Sequence, residues 1–437
     1  MADTIYAVST PPGRGGVAII RISGSEAGVA VAGLVAGKRP CPRVATLAVL
    51  RHPLTEEVLD KALILWFPAP GSFTGEDAAE LHLHGGRAVV DGVLEALSSF
   101  PPLRLAEPGE FTRRAFANGK MDLTEAEGLA DLIDAETQAQ RRQALDQMGG
   151  SLGRLYEGWR RELIRILAHL EADLDFPDED LPEGVADLVR PKVTELLSAI
   201  DAHLADNRRG ERLRSGVQIA IVGPPNAGKS SLLNMLAQRD VAIVSEIAGT
   251  TRDVIEVHLD LGGYPVILAD TAGLRETSDV VEDEGVRRAL RRAEAADIKL
   301  ILMDAREAIP PSLRDLADTG ALVVFNKIDL APGFEVPSPE CCATSMRTGA
   351  GLPALLALLE KRVAAIIGGP DIALTRARHR EALEDCRASL VRTLEAPLPE
   401  LSAEDVRLAT RALGRITGKV DVEDLLDVIF RDFCIGK

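Results

Sequence analysis

The stretch Gly223-Pro224-Pro225-Asn226-Ala227-Gly228-Lys229-Ser230-Ser231 has the residue types and spacing to hold the phosphates of a nucleotide. A G-x-x-x-x-G-K-S loop curls so that its N–H groups converge on anionic oxygens, and a helix starting at the lysine turns its positive N-terminus the same way. Lys229 has the reach for the β- and γ-phosphates, and the Ser230 hydroxyl suits Mg²⁺. A glycine-rich turn without chemistry would fit the same letters. The flanks argue against it. Val217 to Val222 reads as a buried strand and Leu232 to Leu236 as helix, the order that a phosphate cradle needs.

Further elements complete a guanine nucleotide site. The apolar run Ala321 to Phe325 leads into Asn326-Lys327-Ile328-Asp329, an N-K-x-D element. Guanine presents two donors, N1–H and the 2-amino group, and one carboxylate can accept both. Adenine has an acceptor at N1 and would leave Asp329 unpaired. Asp270-Thr271-Ala272-Gly273 follows the strand candidate Val266 to Ala269 and supplies a D-x-x-G element. Its aspartate could hold Mg²⁺ through water, and the Gly273 N–H could sense the γ-phosphate. Gly249-Thr250-Thr251 lies between the phosphate loop and the D-x-x-G element and offers Thr251 as a second Mg²⁺ ligand; Ser345 follows Cys341-Cys342-Ala343 and fits the loop that packs on the base. All five elements, in this order, identify a GTP site.

The residue after the D-x-x-G element bears on catalysis. Ras-like enzymes use a glutamine there to orient the attacking water. This chain has Leu274, which cannot, and leaves Asn226 and Glu282 as candidates for the missing function. Glu282 also suits an ordinary helix start, since Glu282-Asp283-Glu284 would favour a helix N-terminus.

The elements that must position these residues imply several domains, because 437 residues exceed a single core. Residues 1–120 read as an α+β domain, with strands expected at 16–22, 62–67 and 79–84 and a helix at 87–97. Long helices are expected at 123–176 and 184–213 (residues 121–213), and alternating strands and helices at 214–370. Helix returns over 371–437, at 376–394, 403–417 and 422–433. The simplest topology inserts a Ras-like P-loop G domain into a helical bundle domain. Five cysteines without a C-x-x-C pair and the lack of a leader or long apolar run suggest a reduced, cytoplasmic setting and no membrane. A formal charge of −17 disfavours a protein that coats nucleic acid. RNA contact would need local basic patches: Arg113-Arg114, the Arg208 to Arg214 stretch, or Arg287 to Arg292, each of which also reads as a solvated helix face.

Other stretches have no place in a nucleotide site: Thr10-Pro11-Pro12-Gly13-Arg14-Gly15-Gly16, Ser72-Phe73-Thr74-Gly75-Glu76-Asp77, Pro108 to Phe116, and the terminal Phe433-Cys434-Ile435-Gly436-Lys437. With these the chain resembles, over essentially its whole length, the bacterial tRNA modification GTPases of the MnmE (TrmE) family. The resemblance implies a homodimer that works with the FAD-binding protein MnmG (GidA) in a heterotetramer or larger complex. The reaction it implies builds an aminomethyl or carboxymethylaminomethyl group on C5 of the wobble uridine of certain tRNAs. The one-carbon unit would come from 5-formyl- or 5,10-methylene-tetrahydrofolate, bound by the N-terminal domain through Arg21, Glu80 and Lys120, with Lys437 approaching the same site. A pterin shows a donor edge like that of guanine, so a carboxylate suits it, and Arg or Lys suits the anionic folate tail. Read without the resemblance, Arg21 is a surface residue, and His82 and His84 lack the further clustered ligands of a metal site.

For the G domain the resemblance implies that Ser245-Glu246-Ile247-Ala248-Gly249-Thr250 wraps K⁺ together with Asn226. Asn226, Ser245, Ile247 and Thr250 match the ligand positions; the family often has threonine at Ser245, which a carbonyl ligand would tolerate. The ion would sit where an activating arginine otherwise places its charge. Glu282 falls at the family's water-orienting glutamate. Cys434 reads alone as a small buried hydrophobe; the resemblance gives it a part in modification. A ribosome-assembly or signalling switch is the competing class, but a second G domain or a basic KH-like module is missing from the sequence.

Overall fold

Period-two alternation of apolar residues builds the first sheet from β1 (Thr4–Val8), β2 (Gly15–Ser23), β3 (Thr46–Arg51), β4 (Val58–Phe67), β5 (Ala78–Gly85) and β6 (Leu103–Leu105). Its order is β3-β4-β5-β2-β1-β6, antiparallel throughout except for β1 against β6. The computed structural model describes residues 3–35, 39–175, 185–239, 241–243, 256–270, 295–318, 320–368, 373–420, 423–431, 433 and 435–436. Ile20, Ile22, Ile64, Leu81 and Leu83 line the buried face, in one core with residues of helices Ala27–Leu34 and Arg87–Ser98. The three strands and the helix expected in this region all form. β3 carried no clear signal, because its alternation is inverted: Leu47 and Val49 are exposed on an edge strand.

The chain divides into two units, Met1–Ala130 with Gln147–Glu162 and Thr410–Lys437, and Asp131–Asp146 with Leu163–Ala409. In the first unit the helix Glu110–Ala117 is tied down by charge. Arg114 bonds Glu110 (2.9 Å), Asp3 (2.8 Å) and Glu76 (3.2 Å), and Arg104 bonds Glu110 (2.6 Å) and Asp3. The side chain of Arg114 is only 12% exposed, so it is no solvated face and offers nothing to RNA. Its neighbour Arg113 pairs with Asp427. The aromatic residues Phe116, Phe430 and Phe433 pack around Leu123 and Ala126, which brings the C-terminal segment onto this unit. Pro108 forms an antiparallel bridge with Ile435, and the Ser9 hydroxyl donates to the Gly436 carbonyl at 3.0 Å.

The second unit contains the other sheet, from β7 (Val217–Val222), β8 (Glu256–Leu261), β9 (Tyr264–Asp270), β10 (Ile298–Asp304), β11 (Leu322–Asn326) and β12 (Cys342–Ala343). The order is β12-β11-β10-β7-β9-β8, parallel except for the β8–β9 hairpin. This is a doubly wound α/β sheet with β7 in the middle. β7 is buried on both faces: Val217, Ile219 and Ile221 share a core with helices Lys229–Ala237 and Leu352–Ile367, and Ala220 and Val222 pack with Ile301 and Met303. In the same unit the helix Ala377–Glu395 packs along Val185–Leu204, with Arg190 donating to the Leu394 carbonyl. Three of the arginines at 208–214 have internal partners. Arg209 reaches the Gly368 carbonyl, Arg212 pairs with Asp297 and Arg214 with Asp131. The patch at 287–292 lies outside the described residues. No described helix is long and apolar enough to cross a membrane, and no described cluster of three His, Cys, Asp or Glu could hold a metal.

Candidate nucleotide site and N-terminal site

The carboxyl end of a central parallel strand is where an open α/β sheet binds ligands, and β7 delivers Gly223 to Gly228 there. Two glycines make the loop possible. A Cβ on Gly223 would lie 2.1 Å from the Leu302 carbonyl oxygen, and one on Gly228, at φ +104°, 2.3 Å from the Asn326 amide nitrogen. Asn226 stands between them in the left-handed region at φ 61°. Asn226, Ser230 and Ser231 are exposed, whereas Ala227 is buried in the core beneath the loop. The Lys229 ammonium folds over the loop, donating to the Gly223 carbonyl at 2.8 Å and the Pro224 carbonyl at 3.0 Å. The cation is therefore already held at the mouth of the cradle, where phosphate oxygens would compete for it.

β11 brings the base-recognition residues to the same edge. Asn326 is 2% exposed and bridges two loops: its Nδ2 donates to the Ala227 carbonyl at 2.8 Å, and its Oδ1 accepts the Met346 N–H at 3.1 Å. Asp329 accepts from the Ser345 hydroxyl at 2.7 Å, which joins the N-K-x-D element to the loop after β12. Sequence reasoning missed Asp304 at the end of β10. It is paired in register with Asn326, and its carboxylate binds Lys327 (3.0 Å) and Arg306 (2.7 Å). The Arg306 guanidinium, with help from Lys327, holds the Asp304 carboxyl far below the usual carboxylate range. An aspartate ending an apolar strand was the available signal.

Asp270 ends β9 beside Ile221 of β7, so the D-x-x-G element starts next to the phosphate loop. The Asp270 side chain lies outside the described residues. So do Ser245, Glu246, Ile247, Ala248, Gly249, Thr250, Thr251, Thr271, Ala272, Gly273, Leu274 and Glu282.

In the first unit Arg21 on β2 and Glu80 on β5 are cross-strand partners, and the guanidinium donates to Glu80 Oε1 at 2.9 and 3.2 Å. Two aromatic neighbours escaped the sequence reading, and His82, considered there only as a metal ligand, is a third. Phe73 and Phe111 hold their ring centroids 5.6 and 5.8 Å from the Arg21 guanidinium carbon, and His82 lies 3.4 Å from the second Glu80 oxygen. Alternation along β5 puts His82 on the same face as Glu80; nothing local pointed to the two rings. Lys120 donates to the Pro70 carbonyl at 2.9 Å, on the loop that carries Phe73. Cys434 and Lys437 lie outside the described residues, between and beyond the docked Phe433, Ile435 and Gly436.

Comparison with known proteins places both units in one family. The family model described as the MnmE helical domain matches residues 123–434, and that of the GTP-binding protein TrmE N-terminus matches residues 4–120. The tRNA modification GTPase MnmE of Parvibaculum lavamentivorans is 58% identical over 441 residues, covering 100% of both chains. That of Rhodospirillum rubrum is 58% identical over 453 residues, covering 100% of this chain and 99% of its own. A mitochondrial protein of Danio rerio, 5-taurinomethyluridine-[tRNA] synthase subunit GTPB3, is 50% identical over 467 residues, covering 100% of this chain and 93% of its own. With a phosphate loop and a guanine-type element joined through one asparagine, and likeness from end to end, this chain belongs to the MnmE (TrmE) family of tRNA modification GTPases.

Proposed function

We propose that the chain is a potassium-activated GTPase that acts with an FAD-binding partner on the wobble uridine of certain tRNAs, adding an aminomethyl-type group from a tetrahydrofolate one-carbon unit. The observation that supports it best is the Asn326 bridge, which couples the loop for phosphates to the element for guanine. In this reading residues 214–370 form the G domain. Lys229 leaves the loop carbonyls for phosphate oxygens, Asp329 accepts the two guanine donors, and Gly228 lets the loop pass close against the Asn326 amide. Ser230, exposed in the first turn of its helix, and Thr251 would hold Mg²⁺; Asn226, exposed at the bend of the loop, would hold K⁺ with Ser245, Ile247 and Thr250. Bound there, the two ions would supply positive charge against the triphosphate. Glu282 would orient water in place of Leu274.

Arg21 and Glu80 suit a pterin-containing ligand: a carboxylate for its donor edge, a guanidinium for its anionic tail, and two aromatic rings beside them. Lys120 and Lys437 would add positive charge for the tail. Docking of Ile435 and Gly436 on the same unit supports a role for Cys434 in the modification step.

Turnover of GTP in KCl and NaCl at equal ionic strength, beside mass spectrometry of tRNA treated with the chain, the FAD partner and folate, tests this reading. Turnover should be much faster in KCl, and Asn226→Ala should lose the preference. Glu282→Ala should lose rate while still binding GTP. Cys434→Ser should hydrolyse GTP but leave the uridine unmodified. Equal rates in both salts would remove the potassium step, and full modification by the serine variant would make the thiol incidental.

A further inference from the structure

We propose that Asp304 is a positioning residue for nucleotide binding: its carboxylate fixes the Lys327 ammonium so that the lysine stem forms a rigid wall at the guanine end of the site. The inference rests on the GTP-binding reading and extends it to a residue outside the five nucleotide motifs. Asp304 ends β10 opposite Asn326 of β11, and its side chain is 4% exposed. Oδ2 binds the Lys327 ammonium at 3.0 Å and Arg306 Nη2 at 2.7 Å, while Oδ1 accepts from Arg306 Nε at 3.0 Å and its backbone N–H at 3.1 Å. The carboxylate is thus shared between a lysine of the base-recognition element and an arginine outside it.

Lys327 is anchored at both ends. Its backbone sits in the left-handed region, φ 63°, between Asn326 and the short helix Ile328–Leu330 that carries Asp329. Its ammonium is held by Asp304. Four methylenes strung between two fixed points present an apolar flank on which a planar base can rest. An untethered lysine would have rotamer entropy to lose when the base arrives. Asp304 removes much of that loss in advance, which is affinity gained by preorganisation. Arg306, 51% exposed, meets the remaining carboxylate lone pairs and keeps the group ionised without touching Lys327.

The test uses the full chain with fluorescent GTP and GDP analogues and steady-state hydrolysis. Asp304→Asn keeps the volume and loses the charge. It should raise Kd and KM about tenfold, the worth of one hydrogen bond to a charged group, with kcat changed by less than about twofold. Lys327→Gln should weaken binding to a similar degree, and the double variant should be no worse than the weaker single variant, because both break one contact. Arg306→Ala should leave affinity within about twofold of the native chain. Asp304→Asn binding within that same margin, or losses that multiply in the double variant, would overturn the proposal. If Asp304→Asn does not fold, Lys327→Gln decides, and native-like affinity in it is the overturning result. Native chain that fails to bind GTP would instead overturn the nucleotide reading itself.

Discussion

Asn326 and Asp329 divide the work of base recognition between them. The asparagine is buried and commits one amide hydrogen to the Ala227 carbonyl and one lone pair to the Met346 N–H, so it shapes the site. Asp329 is more exposed, and it accepts from a rotatable hydroxyl, that of Ser345, which leaves carboxylate lone pairs for two guanine donors. Asp329→Asn should therefore lose GTP while gaining xanthosine triphosphate, whose 2-oxo group pairs with the new amide. Competition titration of the two nucleotides measures this, and a variant that still prefers GTP would refute the assignment.

At the scale of elements, the phosphate loop is shaped as much by its neighbours as by its own glycines. Gly223 passes against the β10 backbone at Leu302, and Gly228 against the Asn326 amide that holds Ala227. Gly228→Ala would put a Cβ into that amide at a φ of +104°, so either the loop or the bridge must move. Strain of about 1–3 kcal/mol confined to one loop leaves the sheet intact. The expected result is native far-ultraviolet circular dichroism with GTP affinity lowered by about tenfold or more; a variant that binds GTP as tightly as the native chain would show the contact to be slack.

For the whole molecule the acidic balance of −17 does not mean that its carboxylates repel without recompense. In the first unit Glu110 and Asp3 are built into arginines. Burial pushes Glu110 up, but hydrogen bonds from Arg104, the Glu107 N–H and Arg114 carry it below its ordinary 4.5; a hydrogen bond from Arg104 leads in holding Asp3 below its ordinary 3.8. A lowered carboxyl lends stability that is complete above its unfolded-state value and is lost as pH falls through the folded one. The urea midpoint of the first-unit transition should hold between pH 7 and 5 and fall below about pH 4. Arg114→Met should flatten that acid limb, because the arginine then no longer favours the ionised form. A midpoint independent of pH down to pH 3 would show the network to be inert.

Contiguous sequence determined the strand–loop–helix around Lys229, the N-K-x-D element and the strands at 16–22, 62–67 and 79–84, because local backbone geometry and side-chain periodicity fix them without reference to the rest of the chain. It also carried the family likeness, since those motifs and the terminal C-I-G-K are short runs of neighbouring residues. Tertiary structure alone decided which distant residues meet. The register of β10 on β11 sets Asp304 against Asn326, and that of β2 on β5 sets Arg21 against Glu80. Folding of the 72–77 loop and the helix Glu110–Ala117 brings two phenylalanines to that arginine, and turns Arg114 from a surface charge into a buried tie. Such pairings depend on how sheets register and on which charges burial forces together, and neither is written in the spacing of neighbouring residues.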